Sequence, residues 1–212
     1  LDLLKLSGPH DKILHHSAPI VLVCGTSSEV GKTTTAIGLI RVLRRKKMRV
    51  AGTKISGTGN MQDVFFLRDA GASSWLEFPD VGLPSTYTNV QRFIKGIYTL
   101  FNHINAAKPD IIVAEAGGDP IEANVPTFLA NRSLMHYVKA IIIVSGDVMG
   151  MIGTISYIRK FVPKIPMYLT DPKGRNSYTT RKRVKQILPG FKLFNSLETA
   201  EVEDVINRIL KN

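Results

Sequence analysis

A three-layer α/β/α domain built on a mostly parallel sheet is predicted by three observations. Apolar runs alternate with segments of helical periodicity along the chain. Two of those runs, Ile111-Ile112-Val113-Ala114 and Ala140-Ile141-Ile142-Ile143-Val144, are apolar throughout, as strands covered on both faces are. The first run, Ile20-Val21-Leu22-Val23-Cys24, leads through a glycine loop into a helix, the strand–loop–helix unit from which such sheets are built.

Residues 1–18 read as a leader or linker broken by Ser7-Gly8-Pro9, with His10, His15 and His16 in a surface or linker role rather than a metal site. Residues 19–212 read as one domain, long enough to bury a full core. Strand one spans 19–25 and helix one 32–46, with Ala36, Ile37, Ile40 and Leu43 on its inner face. The helix ends in Arg44-Arg45-Lys46-Lys47, a basic turn that complements its dipole. Strand two runs from Met48 to Thr53 and empties into Lys54-Ile55-Ser56-Gly57-Thr58-Gly59. A helix follows from Asp63 to Ala72, then a loop over 78–88. Helix three, 89–107, carries the stripe Phe93, Ile97, Leu100, Phe101 and Ile104, which faces a core. The next strand leads to Glu115-Ala116-Gly117-Gly118, and the 139–144 strand to Ser145-Gly146-Asp147. A helix over 150–161, a short strand over 166–169, a strongly basic stretch over 173–186, a strand over 191–194 and a final helix capped by Ser196 complete the chain.

Composition narrows the function classes. No apolar run approaches the roughly 18 residues of a membrane span. A single cysteine, Cys24, excludes an internal disulfide; at the end of strand one it reads as a buried structural thiol, and a cytoplasmic setting is expected. The net charge of +11 suits anionic partners without naming one. The basic cluster Lys173, Arg175, Arg181, Lys182, Arg183 and Lys185 covers nucleotide phosphates, binds RNA or is a solvated face; Tyr178 stands alone as an aromatic within it, too little for base stacking, so a nucleic acid is not the expected partner. The chain opens on Leu1 rather than Met, which suggests a domain of a longer protein.

The chemistry centres on Gly25-Thr26-Ser27-Ser28-Glu29-Val30-Gly31-Lys32-Thr33-Thr34. Glycines let backbone N–H groups turn inward around phosphate oxygens, and the helix start adds unpaired N–H groups and a positive dipole end. Lys32 is placed to reach terminal phosphates, and the Thr33 hydroxyl to hold a magnesium ion bridging them. Five residues separate Gly25 from Gly31, one more than the common spacing of about four. Glu115, at the end of an apolar strand expected beside strand one, reads as a metal- or water-orienting acid. Asp63 is a second candidate magnesium ligand or else a helix N-cap. Lys54 leaves strand two toward the same crevice, where it meets a γ-phosphate or an anionic substrate, or else is a surface ammonium; Ser56 and Thr58 donate to that anion or form the turn. Asp147 and Asp171 follow strands and read as turn formers, and Asp69 as a solvated helical residue.

These residues resemble a known family. The long loop is similar to that of dethiobiotin synthetases, Gly-Thr-Asp-Thr-Glu-Val-Gly-Lys-Thr, including the extra residue. Lys54 matches the family's lysine after strand two, Glu115-Ala116-Gly117-Gly118 resembles its Glu-Gly-Ala-Gly-Gly turn, 144–152 resembles its strand and Gly-x-Ile helix start, and Asp63 falls near its magnesium aspartate. The resemblance implies a Rossmann-like P-loop NTPase fold, often homodimeric, with ATP and Mg²⁺, and a reaction in which a carboxylated diamine is phosphorylated and closes to a cyclic urea. By match, Lys32 and Lys54 stabilise the carbamate and γ-phosphate, Thr33, Asp63 and Glu115 bind Mg²⁺, and Thr26 and Glu29 line the site. Gly25, Ser28, Val30, Gly31 and Thr34 complete the nucleotide-binding loop. Ser27 and Ser28 depart from the family's Asp and Thr, and the Gly82-Leu83-Pro84-Ser85-Thr86-Tyr87 segment resembles dethiobiotin-synthetase-like domains fused to others. Positions 26–30 contain no lysine, which argues against a dimer-activated partitioning ATPase of the MinD/ArsA type. The resulting expectation is a Mg²⁺-dependent ATP-binding protein, a ligase or ATPase acting on a small carboxylate or carbamate; the alternative is a nucleotide-dependent regulatory or assembly module of a longer chain.

Overall fold

The computed structural model describes residues 13–172 and 178–211. Ser7-Gly8-Pro9, His10, Lys173 and Arg175, singled out above, lie outside the described residues. In chain order the elements are β1 (Ile20–Gly25), α1 (Lys32–Arg45), β2 (Val50–Ser56), α2 (Met61–Asp69), β3 (Ser74–Glu77), a 3₁₀ turn (Phe78–Val81), α3 (Val90–Ala106) and β4 (Ile111–Ala116). They continue with α4 (Val125–Ala130), α5 (Arg132–Met135), β5 (Val138–Val144), α6 (Val148–Arg159), β6 (Met167–Thr170), α7 (Tyr178–Ile187), β7 (Lys192–Phe194) and α8 (Thr199–Lys211).

All strand pairs are parallel, in the order β3-β2-β4-β1-β5-β6-β7. Side chains alternate between the two faces of each strand, and both faces are covered. One face, with Val21, Val23, Val113 and Ile142, packs against Leu39, Ile40 and Leu43 of α1 and Val205 and Ile206 of α8. The other, with Leu22, Cys24, Ile112 and Ile141, packs against Phe93, Phe101 and Ile104 of α3 and Met151 and Ile155 of α6. This is the three-layer architecture expected from the sequence. β1 lies at the sheet's centre with β4 on one side and β5 on the other, so the loop after it opens where the strand order reverses.

Several local expectations are corrected. Ser74-Trp75-Leu76-Glu77 forms an additional edge strand paired with β2. Four residues with mixed burial carry no readable period. The expected loop over 78–88 contains the 3₁₀ turn, and Ser85 bridges Thr58. The last helix starts at Thr199, and Ser196 is not its cap: it is buried, and its hydroxyl accepts a hydrogen bond from Thr35 Oγ1 at 3.1 Å. The N-cap of α2 is Asn60, whose side chain accepts from Gln62 N, and Asp63 sits in the first turn. Part of the expected leader packs on the domain: Leu14 and Ala18 join the core, and Ala18 N donates to Asn105 Oδ1 at 2.8 Å.

Candidate functional site

The loop after β1 is folded tightly on itself. A Cβ at Gly25 would lie 2.6 Å from Val30 Cγ1 and 2.8 Å from Lys32 Cδ, closer than real Cβ contacts come. Gly31 has φ +104°, and a Cβ there would stand 2.3 Å from Pro172 Cγ. Glu29 also adopts a left-handed φ of 57°. Gly31 is the N-cap of α1, with no side-chain cap and no acid in the first turn, so that turn keeps its N–H groups and its positive dipole end for a ligand.

Lys32 is buried, and its ammonium donates to Ser27 O at 2.7 Å, closing the loop over itself. Burial lowers its pKa, opposed by the charges of Glu115 and Cys24. The Cys24 thiol, fully buried behind it, is pushed up to about 12 by desolvation, which suits an inert structural thiol.

The opposite wall is built by strand ends. Register puts Val23, Glu115, Lys54 and Glu77 side by side on β1, β4, β2 and β3, all on the α1 face of the sheet. Thr33 Oγ1 donates to Glu115 Oε1 at 3.1 Å. Glu115 is 3% exposed, its Oε2 has no hydrogen-bond partner, and burial raises its pKa against the pull of Lys54. Lys54 is 7% exposed and forms an ion pair with Asp63. Its stem runs between two glycines: a Cβ would lie 3.7 Å from Lys54 Cε if built on Gly57 and 3.0 Å if built on Gly117.

One cavity of about 620 Å³ joins these walls. Ser28, Glu29, Gly31, Lys32, Thr33 and Thr34 line it from the loop, and Lys54, Asp63 and Glu115 from the strand ends and α2. Gly25 and the buried Val30 shape the loop from behind. Thr26 faces a separate shallow cleft with Asp119, Gly150 and Tyr157. Ser56 donates to Gly117 O at 3.1 Å, so its hydroxyl serves the loop. Asp147 N-caps α6 through Gly150 N, and Asp69 pairs with Arg68 at the surface. Thr33, Asp63 and Glu115 supply oxygen donors of the kind a hard divalent cation such as Mg²⁺ takes, and the unpartnered buried Oε2 of Glu115 fits that use.

Two features escaped the reading of the sequence. Glu77 is buried beside Lys54, where only strand pairing brings it. Thr86 ties three loops together: its Oγ1 accepts from Gly57 N and donates to Ala123 O, both at 2.8 Å. The sole signal for Thr86 was the run of turn formers Gly82 to Thr86 in a segment of otherwise unassigned purpose.

The profile of the CobQ/CobB/MinD/ParA nucleotide binding domain matches residues 21–209. A curated relative, cobyric acid synthase of Chloroflexus aurantiacus, is 24% identical over 166 residues, covering 62% of this chain. The chain spans about a third of that relative's length, the matched share being 34%. Among solved structures, a plasmid partition protein from Borrelia burgdorferi bound to AMPPNP matches with TM-score 0.60 and 14% identity over 92% of this chain and 99% of that one. A chain of the MinC:MinD cell division protein complex of Aquifex aeolicus matches with TM-score 0.58 and 13% identity over 92% of this chain and 96% of that one. At these identities the structures establish the shared fold.

Proposed function

The chain belongs to the CobQ/CobB/MinD/ParA nucleotide-binding domain family, and on that premise we propose that it binds ATP with Mg²⁺ in this cavity and activates a small carboxylate or carbamate by phosphorylation, as an ATP-dependent ligase. The observation that carries the reading is Lys54. It is a second buried lysine, set with Asp63 and Glu115 on the cavity wall opposite the phosphate loop and Thr33.

In this reading the loop N–H groups and the α1 N-terminus hold the phosphate chain. Lys32 exchanges Ser27 O for phosphate oxygens. Thr33, Asp63 and Glu115 hold Mg²⁺, which when bound neutralises charge on the terminal phosphates. Lys54 binds an oxygen of the incoming carboxylate and sets it against the γ-phosphorus, offsetting the repulsion between two anions. The carboxylate oxygen forms a bond to phosphorus as the bond to the ADP oxygen breaks, which leaves an acyl phosphate and ADP. A nucleophile then expels phosphate. Dethiobiotin synthetase is the narrower form of this reading, with a diamine carbamate as acceptor and a homodimer as the assembly.

Calorimetric titration with ATP and GTP, with and without Mg²⁺, followed by phosphate release with and without diaminopelargonate and bicarbonate, tests it. Mg²⁺-dependent ATP binding with release stimulated by a carboxylate or carbamate acceptor is the expected result. Binding with negligible release under all acceptors would assign the site to a nucleotide-dependent regulatory or assembly module instead. Absence of nucleotide binding would remove the proposal.

A further inference from the structure

Lys54 is surrounded by three acids. Asp63 holds it in an ion pair, Glu115 adjoins it on β4, and Glu77 adjoins it on β3, each strand neighbour about 4.8 Å away backbone to backbone. Under the nucleotide reading above, two of the three are drawn toward the metal. Glu77 is left.

A local structural role does not account for Glu77. Its carboxylate accepts from the Asp80 N–H in a capping box, while Asp80 Oδ2 accepts from Glu77 N at 2.8 Å. That cap uses one carboxylate oxygen. The other, Oε2, is buried in a side chain 2% exposed and has no hydrogen-bond partner. A glutamine would satisfy the same cap through its amide oxygen without burying a charge. Burial, reinforced by Asp80, Asp63 and Glu115 and opposed by Lys54, lifts the carboxyl to about 7. The side chain therefore sits where its charge is costly and its one cationic neighbour is already paired.

The geometry points to Glu77 as a positioning residue that receives the Lys54 ammonium when Asp63 turns to the metal, keeping that ammonium on the cavity wall. The inference rests on the nucleotide reading for its trigger and on the strand register for its geometry. No covalent step is involved: one ion pair, Lys54–Asp63, is exchanged for another, Lys54–Glu77.

A ligand-free test isolates the geometry. Urea unfolding at pH 8 is measured for the full chain and for Asp63→Asn, Glu77→Gln and the double variant. With all of them carried in a Glu115→Gln background, which removes the other acid beside Lys54, losing Asp63 leaves Lys54 to Glu77, so the double variant is expected to lose at least tenfold more in folding constant than the product of the single effects. Single effects that multiply without excess would overturn the pairing. Kinetics then test the role. Glu77→Gln is expected to keep its affinity for Mg²⁺-ATP within threefold while kcat for phosphate release falls at least tenfold, with Glu77→Asp recovering part of it. A Gln variant with kcat within twofold of the wild type would overturn the positioning role. A wild-type chain that binds no Mg²⁺-ATP would overturn the nucleotide reading and the trigger with it, whereas the unfolding cycle decides the pairing independently.

Discussion

Thr33 at the start of α1 and Glu115 at the end of β4 stand 82 positions apart in sequence, and the Thr33 hydroxyl donates to the Glu115 carboxylate at 3.1 Å. The contact joins the phosphate loop to the neighbouring strand and fixes the acid where the loop opens. β1 and β4 are adjacent in the sheet, so the parallel register sets this distance before any ligand arrives. It also holds in place a carboxylate whose second oxygen is buried and unpartnered, an arrangement that costs stability.

Replacing that carboxylate should therefore separate stability from activity. Glu115→Gln keeps the shape and an acceptor for Thr33 while removing a buried charge. Without ligand it should be as stable as the wild type or more so, by about 1 kcal/mol. Mg²⁺-dependent phosphate release should fall by roughly a hundredfold. Unfolding curves paired with release rates check both halves, and an unaltered release rate would remove Glu115 from the metal set.

Lys32→Ala should abolish nucleotide binding and leave the fold intact. Among the described residues the side chain's one hydrogen bond is to Ser27 O in the loop itself, so no core contact between those elements depends on its ammonium. Calorimetry with Mg²⁺-ATP and a far-ultraviolet circular dichroism spectrum decide the matter; unchanged ATP affinity would sink the site assignment.

Stability should decline as pH rises. Glu77 titrates at about 7 in the folded chain against an ordinary 4.5, and burial raises Glu115 as well. A pKa raised by folding means that the folded state holds the proton more tightly. The Glu77 contribution is thus complete below pH 4.5, lost through the window up to about 7, and has a ceiling of about 3 kcal/mol. Denaturation midpoints measured across that window should fall with pH in the wild type and show a shallower slope in Glu77→Gln.

Gly117→Ala tests the passage that holds Lys54. The added methyl would lie 2.2 Å from Ser56 O and 3.0 Å from Lys54 Cε. Ser56 O is backbone and cannot yield cheaply, so a loss of about 1–3 kcal/mol is expected together with displacement of the lysine. A variant with unchanged stability and unchanged phosphate release would show that the two glycines do not constrain Lys54.

The phosphate loop was legible in the sequence because its determinants are local. Gly25 and Gly31 permit close approach and a left-handed φ, α1 begins at once, and Lys32 and Thr33 fall in its first turn. The alternation of apolar strands and amphipathic helices was equally legible, and with it the three-layer fold, since each side chain's face follows from its position in the element. The Lys54–Asp63 pair and the Thr33–Glu115 bond were not, because distance in sequence carries no register. Glu77 shows the limit most clearly. It ends a four-residue edge strand with no readable period, and nothing in Trp75-Leu76-Glu77-Phe78 announces a buried charge. Only pairing of β3 with β2 sets it against Lys54, and only packing on both sides removes the water that would have made its charge cheap. Fold class and phosphate loop thus follow from local pattern along the chain, whereas which charges meet follows from burial and strand register, which are properties of the assembled sheet.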